Sequence, residues 1–320
     1  MKNSSSYNEQ ALKYDASLML SCPNKFDVLS KVTQFFSQNK IGVSECRQYA
    51  QADQLFLRLA WTLSNAWQDE AAFRTSFAEL ADELHAEFDV NFHNRSRFIG
   101  LYIAENSELI DGLLKKQVAS SNLQVAFIAS SFTSVEQIAD RYGVPFFLIE
   151  NNDDSMPDHN RLIGIVQRYK PDFLALLNCQ GKLGATFVEN CGCAVFSVSS
   201  AMLLTGAANA LTGDNDVTQL DVSAIAYQSG AKLLGATAFF TQTQAEKHTD
   251  HDEVTQDEYD VACLQGPIID QQVMPVGHVN SLADVQTLVS EAEKIAFMRA
   301  LKLLIEHRVL KFQQRTIIFD

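Results

Sequence analysis

From residue 97 to residue 200 the sequence alternates two kinds of segment. Short apolar runs, "RFIGLYIA", "LQVAFIAS", "VPFFLIE", "PDFLALLN" and "CAVFSVSS", read as strands. Between the first four lie "SELIDGLLKKQVAS", "SVEQIADRYG" and "HNRLIGIVQRYK", whose apolar residues recur at helical spacing. Parallel strands need long crossovers, and crossover helices cover both sheet faces, so such strands are apolar throughout. The alternation therefore implies an α/β unit, Rossmann-like, around an open, mostly parallel sheet. "SAIAYQSGAKLLGATAFF" adds a helix and a strand, and "DVQTLVSEAEKIAFMRALKLLIEHRVLKF" reads as one long C-terminal helix. Open sheets of this kind bind ligands at the carboxyl ends of their strands. That points to "CAVFSVSSAMLLTGAANA", where a buried-type strand runs into Ser197, Ser199 and Ser200.

An earlier unit has a different order. "SLMLSC", "IGVSECRQYAQ", "LFLRLAWTL" and "DVNFHN" read as strands. "DVLSKVTQFFSQNK" places Val28, Leu29, Val32, Phe35 and Phe36 on one helical face. "DEAAFRTSFAELADELHAEF" is a second amphipathic helix, with acidic residues in its first turn where the helix dipole favours them. The order βαββαβ is that of a ferredoxin-like domain. The polar stretch His93–Arg97 separates the two units. The expected domains are thus 1–92 and 98–320, joined by a linker at 93–97.

A length of 320 residues suits two domains, and 47% hydrophobic with 20% charged residues suits full cores. A net charge of −14 argues against nucleic acid or an anionic membrane as partner. No apolar run is long enough to span a bilayer, and the N-terminus lacks an apolar signal core. A cytoplasmic location is expected. The six cysteines are scattered apart from Cys191-Gly192-Cys193, and one such pair is a weak metal signal. Reduced thiols packed in a core are the expectation. The acidic stretch Thr241–Asp260 carries His248 and His251. It lacks both the i,i+4 histidines of a helix-borne zinc site and the fixed glycine of a calcium loop. It reads as a solvated loop, and no metal or cofactor is expected.

Five further segments carry a family resemblance: "LMLSCPNK", "ADRYGVPFF", "GAKLLGATA", "QGPIIDQ" and the tail "RALKLLIEHRVLKFQQRTIIF". In this order and spacing they resemble the formyltetrahydrofolate deformylases, over nearly the whole chain. The resemblance implies an N-terminal ACT domain, of ferredoxin-like βαββαβ form, followed by a formyltransferase fold. It implies hydrolysis of 10-formyltetrahydrofolate to formate and tetrahydrofolate, within one-carbon metabolism and purine biosynthesis, with no metal and no nucleotide. A folate would be the small-molecule ligand, and pairing through ACT domains would give a homo-oligomer.

Hydrolysis of a formamide needs a base to activate water and donors aimed at the developing oxyanion. The family pattern N-I-H-H-S-F-L-P supplies an asparagine and a histidine, and L-D-E-G-P-I-I an aspartate. Laid on this sequence, those catalytic positions are Ser197, Ser199 and Leu264. The second histidine falls on Ser200, and the histidine after G-A-T-A on Phe239. In the folate-pocket-type positions, Asn178, Cys179 and Gln180 stand for arginine, tyrosine and methionine. Ser130, within Ala129-Ser130-Ser131, lies where the family has S-N-H, while Gly266 and Pro267 keep the family's G-P. Serine cannot replace imidazole as an acid or base near neutral pH, and leucine carries no base. The resemblance therefore leads to a deformylase-family pseudoenzyme, impaired or inactive. The alternative is an active deformylase or other hydrolase that recruits groups outside the motif, such as Asp260 or Asp270. In the first unit, "CPNKFD" places Phe26 and Asp27 where the family has proline and glycine, which argues against amino-acid binding there.

Overall fold

In a computed structural model, residues 14–63, 69–93, 95–103, 109–119, 123–150, 158–177, 185–200, 222–241 and 266–320 are described. The chain forms two compact units. One comprises residues 1–96, 303–310 and 317–320, the other 97–302 and 311–316. No helix among the described residues is long and apolar enough to cross a membrane.

The first unit runs β1 (Ala16–Pro23), α1 (Val28–Gln38), β2 (Val43–Gln51), β3 (Gln54–Trp61), α2 (Glu70–Leu84) and β4 (Glu87–Phe92). Its strands form an antiparallel sheet in the order β2-β3-β1-β4, the ferredoxin-like arrangement expected for an ACT-like domain. The helical face expected of α1 is the face it buries, through Val28, Val32 and Phe36. Asp69 caps α2 by accepting from the Ala71 amide at 3.0 Å. Alternate strand residues Leu18, Leu20, Leu57, Leu59 and Val90 join Phe36, Trp61, Phe73 and Phe77 in one core.

The opposite sheet face carries buried polar residues among apolar ones such as Met19 and Phe56. Ser17, Arg58 and Asn91 lie there, each at most 3% exposed. What meets Ser17 and Arg58 is the segment around residue 307. His307 bonds Ser17 Oγ through Nδ1 at 2.9 Å and the Asp89 carboxylate through Nε2 at 3.0 Å. Arg58 donates to the carbonyls of Glu306 and His307 and pairs with Glu45 at 2.7 Å.

The second unit continues with β5 (Arg97–Ile103), α3 (Leu109–Ala119), β6 (Leu123–Ser130), α4 (Glu136–Arg141), β7 (Phe146–Leu148), α5 (His159–Tyr169), β8 (Phe173–Leu177), α6 (Ala185–Asn190) and β9 (Ala194–Ser199). Then come α7 (Val222–Gln228), β10 (Leu233–Phe240), β11 (Ile268–Pro275) and α8 (Leu282–Ile305). The seven-stranded sheet has the order β11-β10-β9-β8-β5-β6-β7. The five strands from β5 to β9 are parallel, while β10 and β11 add on antiparallel. This is the mostly parallel sheet of the formyltransferase fold. Leu162, Ile165 and Phe187 of α5 and α6 pack with Leu174, Leu176 and Val195 on one face. On the other, Phe297 of α8 stacks on Phe196 with ring centroids 5.8 Å apart.

One expected element is different. The C-terminal helix does not run on to residue 312. It ends at Ile305, and β12 (Val309–Phe312) pairs with β13 (Arg315–Ile318) as a hairpin. The stop is local. His307 takes φ 52°, its amide donates to Leu304 O, and the Arg308 amide donates to Leu303 O. Those two bonds are the Schellman closure of a helix end. Glycine is the usual residue at that position, so the helical pattern carried no visible stop.

Candidate functional site

The carboxyl ends of β5, β6, β8 and β9 lie side by side, with Ile103, Ser130, Leu177 and Ser199 at or near them. Strand order places the crossover from one half of the sheet to the other between β5 and β8, the usual position of a ligand crevice.

Ser197 is 1% exposed. Its hydroxyl donates to the carbonyl of Leu176, its register partner on β8, at 3.1 Å. On its other side the register partner is Phe239 of β10, also 1% exposed. Ser199 ends β9 half-buried, opposite Thr237. Ser200 is buried. Ser130 behaves like Ser197. It is fully buried, its hydroxyl donates to Ile103 O at 2.8 Å, and the Phe132 amide donates to it at 3.0 Å. Both hydroxyls therefore tie a strand end to its neighbour.

Gly266 and Pro267 lead into β11, and the Pro267 carbonyl accepts from the Phe240 amide at 3.0 Å. Leu264, Asn178, Cys179, Gln180 and the histidines of Thr241–Asp260 lie outside the described residues.

Asp270, one of the two carboxylates weighed as a substitute base, is engaged. Arg299 Nε lies 3.1 Å from it, and Gln272 donates to it at 2.6 Å. Two neighbours escaped the sequence reading. Thr237 is fully buried and accepts from Gln271 at 3.0 Å. Both sit on strands whose antiparallel pairing no local pattern announces, although "GATA" marks the segment. Among the described residues no three His, Cys, Asp or Glu side chains group as metal ligands.

In the first unit, the β1–α1 turn has its own departures. Phe26 is wholly exposed, while Asp27 opens α1 at φ −94° and pairs with Lys31 at 2.6 Å. That backbone conformation suits any residue, so nothing at Asp27 calls for glycine. The cysteines only partly fit the expectation of core thiols. Cys22 and Cys191 are buried, but Cys46 is exposed on β2 and Cys193 is half-buried.

No family model matches the chain. Curated relatives do. A formyltetrahydrofolate deformylase of Synechocystis is 23% identical over 308 residues, covering 95% of this chain and 98% of the relative. A protein of the same name from Bacillus subtilis is 20% identical over 308 residues, covering 95% and 93%. Among solved structures, a formyltetrahydrofolate deformylase from Pseudomonas syringae pv. tomato superposes with a TM-score of 0.79, at 18% identity over 98% of this chain and 96% of that one. Over nearly its whole length, then, this chain is similar in sequence and in fold to the formyltetrahydrofolate deformylases.

Proposed function

We propose that this protein is a deformylase-family pseudoenzyme: it keeps the fold that presents a folate site, and hydrolysis of the formyl group is impaired or lost. The observation that carries this reading is Ser197. It stands where the family's asparagine would aim a donor at the oxyanion. Here the hydroxyl is 1% exposed and donates to Leu176 O. A donor committed to the sheet is not preorganised for an oxyanion, and one such donor is typically worth about 3 kcal/mol of barrier. Ser199 supplies no imidazole, and Leu264 supplies no carboxylate. Loss of all members of a cooperating set removes most of the rate. On this reading neither metal nor cofactor takes part. The remaining role is binding of a folate at the β5/β8 crevice, in a homo-oligomer formed through the first unit, whose β2 and β4 are sheet edges.

The deciding experiment is formate release from 10-formyltetrahydrofolate by the purified full chain. The expected rate is indistinguishable from the uncatalysed one. Turnover of about 1 per second or faster, ordinary for a metabolic enzyme, would restore the active-hydrolase alternative. Tetrahydrofolate binding by calorimetry tests the retained pocket separately, and light scattering tests the oligomer.

A further inference from the structure

We propose that Cys191 and Cys193 are a reversible dithiol–disulfide site at the base of β9, oxidised by small molecular disulfides. The two thiols lie in the short link between α6 and β9, at the opposite end of β9 from Ser199. Their sulfurs are 3.7 Å apart. Gly192 between them takes φ +70° and is exposed, with open space where a Cβ would stand. That left-handed turn folds Cys193 back toward Cys191. A disulfide needs about 2.05 Å between sulfurs. Oxidation has to close the remaining gap by rotation of the two cysteine side chains about the exposed Gly192 turn.

The two cysteines have different environments. Cys191 is 2% exposed and packs into the apolar cluster with Phe187 and Val195. Cys193 is half-buried, the more exposed of the two. The hydrogen bond from Cys191 holds the Cys193 thiol below its ordinary value, against burial and the nearby Asp172 carboxylate. The same bond, with burial, pushes Cys191 up. Asp172 is itself held by Arg97 at 2.7 Å and by the Phe98 amide at 2.8 Å. Cys193 is therefore the attacking thiolate and Cys191 the resolving thiol. With no third ligand grouped beside them among the described residues, the pair does not make up a closed zinc site.

The chemistry balances in two steps. The Cys193 thiolate attacks one sulfur of a disulfide RSSR, the S–S bond breaks, and RS⁻ leaves. Cys191 then gives its proton to that thiolate and attacks Cys193 Sγ in the mixed disulfide, expelling the second RS⁻, which takes up the proton Cys193 had lost. The protein loses two electrons and two protons, and RSSR becomes two RSH.

The test uses the reduced full chain and oxidised glutathione, followed by peptide mapping without reductant. Cys46, exposed on β2, is the internal control for reagent activity. The peptide holding both cysteines is expected to lose two hydrogens and to regain them with dithiothreitol. Cys191→Ala is expected to stop at a stable glutathione adduct on Cys193, and Cys193→Ala to leave Cys191 as a free thiol. Two free thiols at 191 and 193 when Cys46 is fully modified would overturn the proposal. So would a bond from either cysteine to a different one. Neither outcome depends on a variant folding.

Discussion

A serine hydroxyl inside a sheet has few choices of partner, and the neighbouring strand's carbonyl is the nearest. Ser197 and Ser130 both take it. Ser197→Ala should therefore cost about 1 kcal/mol, the usual net worth of one buried hydrogen bond, read as a shift in the urea midpoint. Ser197→Asn, which restores the family residue type, should cost more, about 1–3 kcal/mol. The larger amide has to enter a position that is 1% exposed between Leu176 and Phe239. If Asn proves neutral, the strand end has room for the family's side chain, and the pseudoenzyme reading weakens with it. The sequence placed this residue near the end of a buried strand, where the structure has it. It could not reveal the bond to Leu176, because a parallel partner's register is set by the crossover and not by the strand.

At the scale of elements, two of the motifs that carry the family resemblance hold helix stops. In "ADRYGVPFF", Gly143 follows α4 at φ +66°, its amide donates to Asp140 O, and the Val144 amide donates to Ala139 O. Gly230, just before "AKLLGATA", closes α7 in the same way. These are Schellman ends, for which glycine avoids a left-handed penalty of about 1–2 kcal/mol. Gly143→Ala should cost about 1 kcal/mol in thermal or urea unfolding. These two segments were legible in the sequence because their local chemistry ends a helix. Their glycines belong to the scaffold, at helix ends and not on the strand that carries Ser197 and Ser199. The end of α8 was illegible for the complementary reason. A histidine does the work of glycine there, held by Ser17 and Asp89, far away in sequence.

That same histidine gives an element-scale pH prediction. Burial raises the Asp89 carboxyl, but hydrogen bonds from His307 and Arg74 outweigh it and hold the group well below the usual carboxylate range. A depressed folded value stabilises the fold above the unfolded value of about 3.9, and the contribution is lost as pH falls below it. The side chain is more than half exposed, so screening reduces the effect. Asp89→Asn should cost about 1 kcal/mol at neutral pH and flatten the loss of stability below about pH 4, measured by denaturant titration across pH.

For the whole molecule, the two-domain reading placed every residue after 97 in the second unit. The compact units divide differently, since 303–310 and 317–320 belong with residues 1–96. Periodicity cannot show this, because it reports which face of a helix is apolar and not which sheet receives its last turn. The face of the first sheet that carries Arg58 depends on that segment. Arg58 is 2% exposed, and two of its partners are the carbonyls of Glu306 and His307. A chain truncated after Lys302 would strip Arg58 of both carbonyl partners and uncover it to water, a loss on the order of 2 kcal/mol. Hydrogen exchange should then report weakened protection in β1, β3 and β4, with the parallel sheet unaffected.

The return of the chain end also sets an order in time. Residues 1–96 leave the ribosome first, yet the Arg58 side of their sheet stays uncovered until residue 303 and beyond have been made. At roughly 5–20 residues per second, that wait is on the order of 10–40 s. A nascent chain stalled before residue 303 would carry its oldest domain unfinished, with Ser17 and Arg58 still facing water, while the younger domain already had its seven strands.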